Sequence, residues 1–294
     1  MPDAAEKIYS LEELLDKASR DYPHSRDIIT AFRPLMIEKA NLLDTLDFEN
    51  GTAINFDESL FKDGVSLLRQ NDFSPAEDVC SLIVLSVLPA ISKGFPNLSS
   101  DMEKIAAAVR EKRIMISEYF ASSPDEGGKV FEEWARIEEI PEHALGLAIR
   151  MTGRICLEKT ARTWSGLIKG FGWEKGYCPV CGGPPMIAKI PEGKGIRWLH
   201  CSQCAHEWEF GRVICPSCEN DDQNAITYFF VEGHDQETAF VCEKCKSYLI
   251  TVNRVSDAAR FNADISALSL VHLDVIMQGK GYRPMASCEW NVFS

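Results

Sequence analysis

The 294-residue sequence contains no run of about 18 apolar residues, so none of its helices is expected to cross a membrane. Its first residues, Met1-Pro2-Asp3-Ala4-Ala5-Glu6, lack the basic start and apolar stretch of a secretory leader, and no twin arginine follows. The expected compartment is therefore the cytoplasm, where thiols stay reduced. Histidine is scarce, with six residues. Of these, His24, His143, His234 and His272 stand alone, and no catalytic triad can be drawn from them. There is no phosphate-binding glycine loop, nucleophile elbow or zinc-protease motif. With no catalytic residue to nominate, a non-enzymatic role is expected.

Positive charge is also short. The net charge is −13, and residues 171–255 carry 8 basic against 11 acidic side chains, a net of −3. A dication bound by four thiolates would add about −2 per site. Zinc modules that bind nucleic acid need a cationic face for the phosphates. That face is missing, so nucleic acid is not an expected partner.

Cysteine, by contrast, is abundant and clustered. Eight of eleven cysteines form four Cys-x-x-Cys pairs within 68 residues: Cys178/Cys181, Cys201/Cys204, Cys215/Cys218 and Cys242/Cys245. A pair at this spacing offers two corners of a tetrahedron to one ion, so eight thiolates make two four-cysteine sites. The simplest assignment places Cys178, Cys181, Cys201 and Cys204 on one metal, and Cys215, Cys218, Cys242 and Cys245 on the other. An interleaved cross-brace is the rival. Sequential pairing is favoured because the gap inside each set holds a self-contained hairpin. The spacing accepts either zinc or iron. A closed four-thiolate site has no open position at which to activate water. His200 and His206 flank the second pair and are expected to pack or to hydrogen-bond sulfur, because eight cysteines already fill both sites. Cys80 and Cys156 read as small core residues, and Cys288 as a thiol without an evident role.

Periodicity divides the chain into a helical domain (1–170), a first four-cysteine metal ribbon (171–214), a second (215–255) and a C-terminal helix and tail (256–294). This is an α+β multi-domain architecture with two tandem rubredoxin-like or zinc-ribbon β modules. Helix starts are signalled by Ser10 with Glu13, by Ser74-Pro75-Ala76-Glu77, and by Ser100 with Glu103. Met102, Ile105, Val109, Ile116 and Phe120 recur at helical spacing. Pro89 is expected to kink or end an apolar helix. Residues 121–128 read as a loop, and Pro141 separates two further helices. Beyond residue 171 the period becomes two. Strands are expected at Met186–Ile190, Ile196–His200, His206–Ile214, Ala225–Glu232, Glu237–Val241 and Ser247–Val255, with turns at Pro191–Gly195 and Gly233–Asp235. Gly182 follows a knuckle where positive φ is useful. Trp198, Trp208, Tyr228, Phe229, Phe230 and Phe240 are expected to cover the small ribbon cores, with some left as a partner patch. A helix from Asp264 to Met277 ends at Gly279-Lys280-Gly281, and the tail reads as irregular.

The arrangement resembles the formate dehydrogenase accessory protein family, FdhE. The resemblance is carried by Tyr177-Cys178-Pro179-Val180-Cys181-Gly182-Gly183-Pro184-Pro185, by Arg197-Trp198-Leu199-His200-Cys201-Ser202-Gln203-Cys204 with Glu207-Trp208, by Arg212-Val213-Ile214-Cys215-Pro216-Ser217-Cys218, and by Cys242-Glu243-Lys244-Cys245-Lys246-Ser247-Tyr248. Asp264–Leu270 followed by Gly281-Tyr282 is similar too. The resemblance implies a cytoplasmic accessory factor for respiratory formate dehydrogenase that binds the enzyme's catalytic subunit during maturation. It implies that the eight knuckle cysteines are ligands, and it shifts the metal toward rubredoxin-type iron. The alternative is a small rubredoxin-type electron-transfer or redox-sensing protein, for which about 170 helical residues are a large scaffold.

Overall fold

A computed structural model describes residues 10–46, 54–71, 73–256 and 261–292. In chain order the described helices are α1 (Leu11–Asp21), α2 (Arg26–Thr45), α3 (Glu58–Lys62), α4 (Glu77–Gly94), α5 (Ser99–Arg110), α6 (Ile116–Ala121), α7 (Pro124–Ile137) and α8 (Glu142–Trp164). Strands β1 (Pro185–Pro191), β2 (Arg197–Cys201), β3 (Glu207–Phe210), β4 (Ile226–Phe230), β5 (Glu237–Cys242) and β6 (Ser247–Val255) follow. Helices α9 (Ala263–Ser269) and α10 (Val271–Gly279) and the short β7 (Arg283–Pro284) complete the set. These elements fall into two compact units.

The helical unit comprises the described residues of Ala31–Pro184 with Cys201–Trp208. Its interior is built on α4 and α8. Helix α4 buries Cys80, Ile83, Val84, Val87, Leu88 and Ile91. It continues past Pro89, where a kink or an end was expected, and stops at Gly94. A Cβ on Gly94 would lie 1.9 Å from the Ala31 carbonyl oxygen, so only glycine permits this approach of α2 and α4. Cys80 and Cys156 are wholly buried, as expected of small core residues. Lys39 and Glu158 pair at 2.7 Å in the interior, and Arg162 donates to the same carboxylate at 3.1 Å.

Helix starts follow the chemistry of the first turn. The Ser123 hydroxyl and the Glu126 carboxylate satisfy each other's backbone N–H groups, with Pro124 at the first helical position, so α7 begins inside the stretch that reads as a loop. Gly127-Gly128 suggests a break, but each glycine costs a helix only about 1 kcal/mol. Helix α4 starts at Glu77, later than Ser74-Pro75 suggests, with no side-chain cap. The Glu77 carboxylate is committed elsewhere, accepting from the Ser117 N–H and the Ser81 hydroxyl. Helix α5 starts at Ser99, so Ser100 lies in its first turn. The apolar run from Met102 to Phe120 is split between α5 and α6, with Lys112 in the left-handed region at φ 57°.

The sheet unit comprises the described residues of Met1–Thr30, Pro185–His200 and Glu209–Ser294. In it α1 opens on the expected capping box between Ser10 and Glu13. The strands form one sheet in the order β3-β2-β1-β6-β5-β4, with β7 beside β6. The two expected hairpins are present, and a parallel β1–β6 pairing joins them, with Ile187 opposite Ile250. Antiparallel β5–β6 and β4–β5 ladders extend it, with Phe240 opposite Leu249 and Tyr228 opposite Phe240. The joining strands are apolar at successive positions (Met186, Ile187 and Ala188 in β1; Tyr248, Leu249 and Ile250 in β6) and are buried on both faces. Turn residues Gly193 and Gly233 adopt φ of 68° and 84°. The expected C-terminal helix is two helices that meet at Leu270, and the tail contributes β7. Thus the helical region precedes a sheet-containing region, an α+β architecture.

Candidate metal centres

Each Cys-x-x-Cys pair is folded into the same knuckle. The residue after the second cysteine takes the left-handed conformation in all four: Gly182, Ala205, Glu219 and Lys246 have φ of 79°, 57°, 56° and 56°. The amide of that residue reaches back to the carbonyl of the first cysteine in three of them, from Gly182 to Cys178, Glu219 to Cys215 and Lys246 to Cys242, at 2.8–2.9 Å. Such a turn frees backbone amides to face sulfur. Gly183 N–H donates to Cys181 Sγ and Gln203 N–H to Cys201 Sγ, each at 3.4 Å.

The first cluster lies in the helical unit. Sγ of Cys178 is 3.5 Å from that of Cys204, and Sγ of Cys181 is 3.3 Å from that of Cys201. All four residues are buried. Their mounting explains the local sequence. Leu67 and Leu68 donate to the Pro179 and Val180 carbonyls, and Tyr177 Oη donates to Gly64 O. Ser202 donates to Pro184 O through both its amide and its hydroxyl. The Trp208 indole donates to Lys175 O. A Cβ on Gly183 would lie 3.0 Å from the Gln203 side chain and 3.2 Å from Cys201 Sγ, so a larger residue there would crowd the sulfur.

The second cluster lies in the sheet unit. Cys215 Sγ is 3.7 Å from Cys245 Sγ, and Cys218 Sγ is 3.7 Å from Cys242 Sγ. This site is more open: Cys215 and Cys242 are buried, Cys245 is half-buried and Cys218 is exposed. Phe240 packs against Cys215 and Cys242 from behind. Asn220 receives the Cys215 amide on its backbone carbonyl and turns its side-chain amide toward Cys242 Sγ.

The donor sets fit a metal. Within each cluster all four sulfurs lie within 4.8 Å of one another. A tetrahedron with metal–sulfur bonds of ~2.3 Å has sulfur–sulfur edges of about 3.8 Å. The sets are the sequential ones, not the interleaved cross-brace. Burial pushes Cys178 and Cys204 well up, while Cys201, also raised by burial, is pulled well down by hydrogen bonds from its three neighbours. Four thiolates this close in a dry site need a cation among them.

His200 and His206 are half-buried and lie outside both sulfur sets, although the His206 carbonyl accepts from the Cys201 amide. Cys288 is buried in the C-terminal tail. Of the ribbon aromatics, Trp208 and Phe240 are buried, whereas Tyr228 and Phe230 on β4 are 44% and 57% exposed. One relation was not legible in the sequence. His24 and His272, 248 positions apart, meet with Nε2 2.9 Å from Nδ1. Burial and the neighbouring His24 hold His272 below the usual imidazole range.

A helical region, a mixed sheet and two four-cysteine clusters able to hold metal ions define the class of protein. The FdhE central-domain family model matches residues 177–212, which span the first cluster. An FdhE homologue from Aquifex aeolicus is 32% identical over 113 residues, 37% of this chain and 40% of that protein. FdhE of Escherichia coli K12 is 32% identical over 117 residues, 38% of this chain and 36% of that protein. The matched region spans well under half the length of these curated relatives. The crystal structure of the FdhE protein from Pseudomonas aeruginosa shares the fold, with a TM-score of 0.59 at 21% identity, covering 94% of this chain and 92% of that one. The chain is thus similar to FdhE proteins in sequence around the first cluster and in fold over nearly its whole length.

Proposed function

We propose that this chain is a non-enzymatic accessory factor for the maturation of formate dehydrogenase, acting in the cytoplasm. It binds the catalytic subunit of that enzyme through a surface whose shape the metal sites maintain. The observation that carries this reading is the pair of four-sulfur clusters, each closed by protein ligands, within an FdhE fold. The eight ligands are Cys178, Cys181, Cys201, Cys204, Cys215, Cys218, Cys242 and Cys245, and the ions are iron or zinc. Every tetrahedral corner is a sulfur, so no position remains for a water or substrate. Such centres hold a surface in shape or, as iron, exchange one electron. Among the described residues no helix is long and apolar enough to cross a membrane, in keeping with a factor that meets its client before any membrane step.

The test is affinity capture of the tagged full chain from cells expressing formate dehydrogenase, with mass spectrometry of the retained proteins. The catalytic subunit should be enriched on the wild-type chain and lost from Cys201→Ser/Cys204→Ser. Equal capture by both would refute metal-dependent docking. A second reading, a rubredoxin-type electron carrier or redox sensor, draws on the exposure of Cys218. Reversible reduction coupled to a partner would favour it, and a colourless zinc protein would exclude it.

A further inference from the structure

A buried cation without an anion stands behind the second cluster. Arg197, on β2, is 1% exposed. Its Nη2 donates to the carbonyls of Gly211 and Ile214 at 2.7 and 2.6 Å. Its Nε and Nη1 are buried and have no hydrogen-bond partner. The guanidinium lies between two rings, with its carbon 4.7 Å from the centre of Phe240 and 5.5 Å from that of Phe210. Among the described residues no carboxylate pairs with it. The groups that act on its charge are Tyr228, Cys215 and Arg212, and the last of these is a like charge. Burial pulls its pKa down to about 10, which leaves it charged at neutral pH.

Burying an unpaired charge is costly to a fold, and two ring faces with two carbonyls offset only part of that cost. The missing partner is adjacent. Ile214, whose carbonyl Arg197 binds, immediately precedes Cys215. Phe240, on which Arg197 stacks, packs on Cys215 and Cys242. Four thiolates around a divalent ion carry a net charge of about −2. That charge would sit in the same apolar region as the guanidinium, where screening by water is weak. The open side of the cluster, at Cys218, faces solvent. On the buried side, Cys215 is near enough for its charge to act on this arginine.

We infer that Arg197 is the internal counter-cation of the second site, holding Cys215, Cys218, Cys242 and Cys245 as thiolates around the ion while its carbonyl bonds fix the segment entering Cys215. The inference rests on the reading that this cluster binds a metal. Arg197 is a positioning residue and touches no reacting atom.

The test compares the full chain with Arg197→Met and Arg197→Lys, each loaded with zinc. Ions per chain are counted during chelator competition and during a downward pH titration. Peptide-resolved alkylation shows which cysteines have been freed. Arg197→Met should weaken zinc at the second site by roughly 10- to 100-fold and move its half-release to higher pH, with the first site unchanged. Arg197→Lys, which keeps the charge, should stay near wild type. Retention of both ions by Arg197→Met at wild-type strength would overturn the inference, as would equal weakening of the two sites. If Arg197→Met does not fold, Arg197→Lys decides alone: selective loss of the second ion there would mean that the carbonyl bonds act and the charge does not. A wild-type chain that takes up no zinc at Cys215–Cys245 would defeat the metal reading itself.

Discussion

The hydroxyl of Tyr248 donates to Oδ1 of Asp274 across 2.7 Å in the interior of the sheet unit, tying β6 to α10. Gln278 closes the group, donating to Tyr248 Oη and to the Asn291 carbonyl. Asp274 is 4% exposed, and burial raises its carboxyl to about 6 despite hydrogen bonds from Tyr248 and Asn291 that oppose the shift.

This carboxyl makes stability depend on pH. The folded chain keeps the Asp274 proton to higher pH than the unfolded chain does. Its contribution is therefore most favourable below about pH 4 and is lost as pH rises through 6, a change on the order of 3 kcal/mol. Asp274→Asn keeps an acceptor for Tyr248 and removes the titration. In urea unfolding from pH 4 to pH 8, the variant should gain on the wild type as pH rises. A constant difference across that range would refute the assignment.

The two clusters should release their ions in order. The first is buried at all four cysteines, whereas Cys218 of the second is exposed and Cys245 half-buried. A chelator should therefore remove metal in two phases, the faster accompanied by alkylation of Cys215, Cys218, Cys242 and Cys245. A single phase, or first release from Cys178–Cys204, would contradict the burial argument.

Ligand removal should be separable between the sites. Cys201→Ser/Cys204→Ser should retain one ion per chain and lower the melting temperature by on the order of 10 °C, because a bound structural ion contributes folding free energy. Metal analysis beside calorimetry checks both halves. Retention of two ions would mean that these sulfurs are not ligands.

Gly94→Ala should be among the most damaging single-methyl additions in the helical unit. The new Cβ meets backbone, the Ala31 carbonyl, at 1.9 Å, so α2 or α4 must shift. A loss of about 1–3 kcal/mol is expected from thermal or urea unfolding. An unchanged midpoint would show that the helices are free to separate.

The clusters were legible because their chemistry is local. A Cys-x-x-Cys knuckle is set by four residues and one left-handed position, and a hairpin between two knuckles brings them together. The helical region and the six main strands were legible for the same reason, since a change of period from 3.6 to 2 needs no distant partner. What the sequence hid was long-range. Nothing in Met186–Ile190 announces a parallel pairing with Ser247–Val255, which joins the two hairpins into one sheet. The meeting of His24 with His272 depends on the tertiary fold, as does the burial of Arg197. The start of α7 was available: Ser123-Pro124-Asp125-Glu126 is a capping signal that the following glycine pair obscured.

The most direct test of the account is the metal content of the full chain purified without oxygen, measured together with X-ray absorption at the metal edge. Two ions per chain, each with four sulfur neighbours at ~2.3 Å, are predicted. A chain that holds no ion after reconstitution with iron or zinc, or one whose ions carry oxygen or nitrogen ligands in place of sulfur, would contradict it.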